Sequence, residues 1–199
     1  MKKLILASNN AHKLREFREL LRTMDVELLS KKESGALGEI EETGVTFDEN
    51  AYIKAETVMR ATGLPAIADD SGLCVDALGG EPGVRSARYT GRHEDSDADR
   101  YRLVLKKLGD RPDRSARFVC SLCCVFPNGD VLRARGTCEG TILFAPRGEN
   151  GFGYDPVFMP EGFDRSMAEL TMEEKNAVSH RGRALNLFRK EWEQYYADK

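Results

Sequence analysis

The chain reads as an α/β protein, and three observations carry that prediction. An apolar run over residues 2–8 passes through a polar turn into an amphipathic helix; a second short run, 65–68, ends on two adjacent aspartates; and runs over 117–126 and 131–135 flank a hairpin turn. Short apolar runs bounded by breakers suit buried strands, and apolar positions three and four apart suit helices packed on them. The 199 residues allow one large domain or two closely joined lobes, and residues 1–199 are taken as a single domain. Hydrophobic residues at 41% and charged residues at 32%, without repeats or low-complexity tracts, point to a soluble globular protein. No apolar run approaches membrane-spanning length, and the run after Lys2 and Lys3 is too short for a secretory signal, so residence in the cytoplasm is expected. A net charge of -3 argues against polymeric nucleic acid as a partner and leaves a single nucleotide open.

Residues 2–8 form the first expected strand, and Asn9, Asn10, Ala11 and His12 the turn after it. Leu14, Phe17, Leu21 and Met24 then recur at helical spacing. A strand that turns tightly into a helix leaves backbone N–H groups at the helix N-terminus, where an anion is welcome. Lys13 lies in that first turn, where a cation opposes the helix dipole unless a phosphate sits between them; the alternative is a solvated lysine beside Asn10 as N-cap.

Glu41, Glu42, Thr43 and Gly44 precede a second helix, opened by a capping box of Thr46 with Glu49. Helical rotation puts Phe47, Ala51 and Val58 on one face with Asn50 and Lys54 between them, so two polar side chains there need partners. Lys54 either snorkels or reaches into a site, and the acid pair just ahead favours the site. Residues 65–68 should deliver Asp69 and Asp70 to an edge, Ser71 and Gly72 should turn the chain, and 73–78 should resume it as another strand. Adjacent carboxylates repel and are costly to desolvate, and a divalent cation is the simplest neutraliser. The competing reading is a turn in which one aspartate caps and the other is solvated.

The loop 79–89 is rich in glycine, arginine and aromatic residues, but residue types alone do not state its role. Residues 96–108 should form a helix with Tyr101, Val104, Leu105 and Leu108 inward, stopped at Gly109. The strands 117–126 and 131–135 are joined by the hairpin turn Pro127-Asn128-Gly129-Asp130. Cys120, Cys123 and Cys124 lie on the first of them; strand positions three apart face opposite ways, so these cysteines read as reduced core residues rather than a metal half-site. In 147–156, glycines around Phe152 let backbone approach a ligand, and Phe152 and Tyr154 offer flat faces to a base; an aromatic loop packed on the core is the alternative. A short helix capped at Thr171 carries Lys175, and Ser179 to Gly182 open a last helix whose apolar face is Ala184, Phe188, Trp192 and Tyr195. His180 and Arg181 therefore stand at a helix N-terminus, where the dipole disfavours cations unless a ligand is placed there.

Taken in order, A-S-N-N-A-H-K (7–13), E-E-T-G-V-T-F-D-E-N-A-Y-I-K-A (41–55), A-D-D-S-G-L-C-V-D-A-L-G-G-E-P-G-V-R-S-A-R-Y (68–89), G-F-G-Y-D-P-V-F (151–158) and A-E-L-T-M-E-E-K-N-A-V-S-H-R (168–181) resemble the inosine triphosphate pyrophosphatase, or Ham1-like, family. The match spans nearly the whole chain; one departure is His12, where the family often has glycine. The resemblance implies a mixed, twisted central sheet flanked by helices, two lobes with a cleft between them, and a homodimer. It also implies hydrolysis of the deaminated purine nucleotides ITP, dITP and XTP to the monophosphate and pyrophosphate, with Mg2+. Carried over by position, Ser8, Asn9, Asn10, Ala11, His12, Lys13 and Lys54 would hold the triphosphate, and Glu41, Glu42 and Asp70 the metal. Asp70 would also be the general base, with Ser71 beside it, while Phe152, Gly153, Tyr154, Asp155, Lys175, His180 and Arg181 would surround the base. Two competing readings are a pyrophosphatase for modified pyrimidine nucleotides, as in the similarly folded Maf-like proteins, and a nucleotide sensor without catalysis. The aromatic loop and the S-H-R helix argue against the first, and the presence of Glu42, Asp69 and Asp70 against the second.

Overall fold

A computed structural model describes residues 2–36, 38–92 and 94–198. It holds six strands, β1 (Lys2–Leu6), β2 (Val26–Ser30), β3 (Ala66–Val75), β4 (Ser115–Val125), β5 (Val131–Ile142) and β6 (Phe158–Pro160), in one sheet of order β2-β1-β3-β4-β5-β6. β1 runs parallel to both β2 and β3, with Leu4 opposite Leu28 and Leu6 opposite Ile67, whereas β5 and β6 are antiparallel. The sheet is therefore mixed, as expected. The helices are α1 (Ala11–Leu21), α2 (Phe47–Thr62), α3 (Asp97–Leu108), α4 (Met172–Val178) and α5 (His180–Ala197). By compactness the chain divides into two units, one of residues 1–70, 120–136 and 182–199, the other of 71–119 and 137–181.

The first unit is layered because its strands are apolar on both faces. Leu4, Leu6 and Ile67 pack with Phe17 and Leu21 of α1 and with Ala184, Phe188 and Trp192 of α5. Ile5, Ala66 and Ala68 face the other way and pack with Ala51, Ala55 and Val58 of α2. A parallel strand buried on both faces reads as a continuous apolar run, which is how 4–6 reads. The same alternation sends Cys120 and Cys124 to one cluster and Cys123 to the other, so the three thiols do not converge. The second unit has its own core, in which Leu73 and Val75 of β3 meet Val104 and Leu108 of α3, Phe118, Tyr154 and Phe158.

Two expectations change, and one strand is new. Ser71 and Gly72 do not turn the chain: β3 is one strand from Ala66 to Val75, followed by a 3-10 turn at Asp76–Leu78. The strand does not have to end at Asp69 and Asp70 because lysines from α1 and α2 meet both carboxylates inside it. β2 escapes the sequence pattern because it is a short edge strand whose side chains are mostly half-buried, which leaves little alternation to read. β5 runs on to Ile142 through Gly136, Thr137 and Gly140, where apolar patterning fails although the ladder continues.

Candidate active site

The residues expected in the site fall into two sets, one in each unit. In the first unit, Asn10 caps α1: its Oδ1 accepts from the backbone N of His12 at 2.9 Å and of Lys13 at 3.2 Å, and Ser8 Oγ accepts from Asn10 N at 3.1 Å. The turn therefore offers an anion its polar side chains and Lys13 more than a bare row of amides. Asn9, Asn10, Ala11 and His12 are exposed, and Ser8 and Lys13 half-buried. Lys13 Nζ lies 3.0 Å from Asp69 Oδ2, a carboxylate whose side chain is sealed from solvent.

α2 begins with the capping box read from the sequence, Thr46 Oγ1 accepting from Glu49 N while Glu49 reaches back to Thr46 N. That start sets the rotation of the helix, and Asn50 and Lys54 point into the site. Lys54 Nζ bridges Glu42 Oε1 at 3.1 Å and Asp70 Oδ1 at 3.4 Å, while Asn50 Nδ2 donates to Asp70 Oδ2 at 3.1 Å. Glu42 is half-buried at this cluster; Glu41 is exposed. Burial would lower the pKa of Lys54, but Asp70, Asp69 and Glu42 outweigh it and raise it, so the ammonium stays charged. Burial raises the pKa of Asp70 against the opposing pull of Lys54, with the Glu42 charge adding to the rise. A carboxylate raised in this way is a stronger base than an exposed one.

Three carboxylates, Glu42, Asp69 and Asp70, thus face two lysines, which leaves an excess of negative charge. Among the described residues no three His, Cys, Asp or Glu side chains form a metal cluster. Glu42 and Asp70 nevertheless aim oxygens at one point, the Lys54 ammonium. They are two hard oxygen donors, and Mg2+ is usually held by one or two carboxylates and the substrate. The donor set fits that ion.

In the second unit, the loop 151–155 is tied down by acids. Asp155 is buried, and its Oδ2 accepts from Phe152 N at 3.0 Å and from Lys175 Nζ at 2.8 Å; Asp97 Oδ2 accepts from Gly153 N at 2.6 Å. The Phe152 ring is half-buried, with Lys175 Nζ 4.8 Å and Arg181 Cζ 5.7 Å from its centroid. Tyr154 instead lies within the core, its hydroxyl donating to Ser86 O at 2.7 Å. Arg181 is 2% exposed, and its Nη2 donates to Ser71 Oγ at 3.0 Å. His180 stacks on Phe118, centroids 4.8 Å apart and rings 15° from parallel. One aromatic face beside two cations and a hydroxyl can accept a flat, electron-rich ring with oxygen acceptors on its edge.

Asp97, Ser86 and Phe118 support this set and were not singled out in the sequence. Asp97 looks like an ordinary acid in the first turn of a helix, and nothing local marks its reach to Gly153. Ser86 gives the loop 79–89 a role: its Oγ accepts from Leu73 N at 3.0 Å and its carbonyl holds Tyr154, so the loop anchors β3 and the aromatic segment.

Comparison with known proteins points to one family. A model of the Ham1 family matches residues 4–191. A dITP/XTP pyrophosphatase of Gluconobacter oxydans is 51% identical over 186 residues, covering 94% of this chain and 88% of that protein. One from Lactiplantibacillus plantarum is 48% identical over 98% of this chain and 96% of its own. Among solved structures, a HAM1 protein from Coxiella burnetii superposes with a TM-score of 0.90 at 45% identity, covering 98% of this chain and all of that one. A nucleoside-triphosphatase / dITP/XTP pyrophosphatase from Mycobacterium abscessus gives 0.76 at 48% identity, over 94% and 98% of the two chains. Matched by the family model over residues 4–191 and about half identical to these relatives over nearly its whole length, the chain belongs to the Ham1 family.

Proposed function

We propose that this protein hydrolyses dITP, XTP and ITP to the nucleoside monophosphate and pyrophosphate, and so clears deaminated purines from the nucleotide pool. The observation that carries the reading is the cluster of Lys13, Lys54, Glu42, Asp69 and Asp70, in a chain about half identical to proteins named dITP/XTP pyrophosphatase. Phosphoryl transfer needs positioning and charge neutralisation more than a nucleophilic side chain. Glu42 and Asp70 would hold Mg2+, which when bound neutralises phosphate oxygens. Asp70 accepts a proton from the water that attacks the α-phosphorus, the bond to the bridging oxygen breaks, and pyrophosphate leaves. Lys13 and Lys54 stabilise the charge that grows on it. The Ser8 to His12 turn holds the outer phosphates.

In the same reading, Phe152 of the second unit stacks on a base and Arg181, Lys175 and His180 line its edge. Hypoxanthine and xanthine carry an oxygen acceptor at C6 where adenine carries an amino donor, so a cationic donor pairs with the former and is left unpaired by the latter. Residence in the cytoplasm and a homodimer belong to the same proposal; all five cysteines are free thiols, which suits a reducing compartment, and the dimer rests on the family resemblance.

The test is release of pyrophosphate from dITP, XTP and dATP with Mg2+, repeated with a chelator and with Asp70→Asn. The wild type should release pyrophosphate from dITP and XTP, lose activity on chelation, and outrun Asp70→Asn by about 10²- to 10⁴-fold while both melt alike. Release of orthophosphate instead, or Asp70→Asn turning over near the wild-type rate, would overturn the reading.

A further inference from the structure

We propose that Asn50 is a positioning residue whose amide sets the acidic segment 41–44 in register with Asp70; the inference rests on the pyrophosphatase reading above. Asn50 is fully buried, on the face of α2 that otherwise carries Phe47, Ala51 and Val58. A buried amide there is costly unless both its ends are satisfied. Both are: Oδ1 accepts from Gly44 N at 2.8 Å, and Nδ2 donates to Asp70 Oδ2 at 3.1 Å. Turned over, the amide would set oxygen against the Asp70 carboxylate and NH2 against an N–H. The observed orientation is the one that suits both neighbours.

The consequence is geometric. With Oδ2 held by Asn50, the rotamer of Asp70 is set and its Oδ1 is presented to Lys54. Two residues before Gly44 in the chain, Glu42 reaches the same Lys54 Nζ. One side chain thus links the strand that supplies the base to the segment that supplies the second carboxylate, and the two arrive at a common point. Gly44 completes the fit, since a Cβ there would lie 2.7 Å from Asn50 Oδ1 and 2.7 Å from Glu49 Cβ. A larger residue would push the amide off its partners.

The experiment uses the full chain and two readouts. In Asn50→Ala, kcat for dITP should fall by about 10- to 100-fold with KM changed far less, the effect of removing a partner that orients a site group. In the Asp70→Asn background the same substitution should cost no more than about threefold, because residues acting through one another are not additive. A merely structural role would lower both backgrounds alike and would overturn the proposal. Independently of activity, the Gly44 amide should lose hydrogen-exchange protection in nucleotide-free Asn50→Ala; unchanged protection there would also overturn it. Should Asn50→Ala not fold, Gly44→Ala, which retains the Asn50 side chain but pushes its amide off its partners, should show the same loss of kcat, and full kcat in that variant refutes the idea. If the wild type releases no pyrophosphate from dITP or XTP, the functional reading fails, and the exchange measurement still decides whether Asn50 tethers the segment.

Discussion

Arg181 sits in the first turn of α5, where the amide dipoles oppose a cation, and it is almost fully buried. Its hydrogen bond to Ser71 and its place near the Phe152 ring hold the guanidinium, and in the functional reading it faces the base edge. An arginine donates to the C6 oxygen of hypoxanthine but only confronts the amino group of adenine, so its value lies in the difference between substrates. Arg181→Ala should therefore lower kcat/KM for dITP by about 1–3 kcal/mol of transition-state stabilisation and change dATP hydrolysis far less. The dITP to dATP ratio under identical Mg2+ is the measurement. If that ratio stays as in the wild type, Arg181 serves the fold or the phosphates and base choice is made elsewhere.

At the scale of elements, the loop 151–155 shows how backbone shape supports a ring. Gly151 and Gly153 both have positive φ, 78° and 65°, so any side chain is strained at either. They differ in surroundings: a Cβ on Gly151 would lie 2.1 Å from Asp155 Oδ2, whereas one on Gly153 would meet nothing within 4 Å. Asp155 cannot yield without releasing Phe152 N and Lys175. Gly151→Ala should therefore lower kcat/KM for dITP by about 100-fold, the scale of an ångström-sized misplacement, and Gly153→Ala by much less. Equal losses in the two variants would mean that strain alone, not the Asp155 clamp, governs the loop.

For the whole molecule, the pH limit of stability follows from carboxylates paired on the surface. Hydrogen bonds from the side chain and backbone of Ser30, with help from Arg18, lower Glu33 from 4.5 to about 2. Arg165 and the backbone N of Thr171 lower Glu174 to about 2 as well. A depressed folded-state pKa means stability that is present above about 4.5 and lost as pH falls toward 2. The melting temperature should drop across that window, modestly because both pairs are exposed, and Glu174→Gln should make the drop shallower. A melting temperature that holds level from pH 5 to about 2 would contradict the assignment.

Much of this protein was legible along the chain because the responsible forces act within a few residues. The Thr46–Glu49 capping box, the caps at Asn10 and Thr171, the Gly109 stop and the hairpin at 127–130 are each settled within about one turn of backbone, and all are found. The helical face that holds Asn50 and Lys54 was also readable, since a polar side chain among apolar ones shows at once in a periodic pattern. Pairings across long separations were not readable. Asn50 meets Asp70 across 20 positions and Arg181 meets Ser71 across 110, and such partners are chosen by strand order, which no local propensity encodes. The same limit explains the turn wrongly expected at Ser71 and Gly72: the rule that adjacent acids end a strand assumes that water must solvate them. The residue types by themselves determined that charge would gather at Asp69 and Asp70; the tertiary structure alone decided that Lys13 and Lys54 would meet it inside a continuous strand, because only packing brings α1 and α2 against β3.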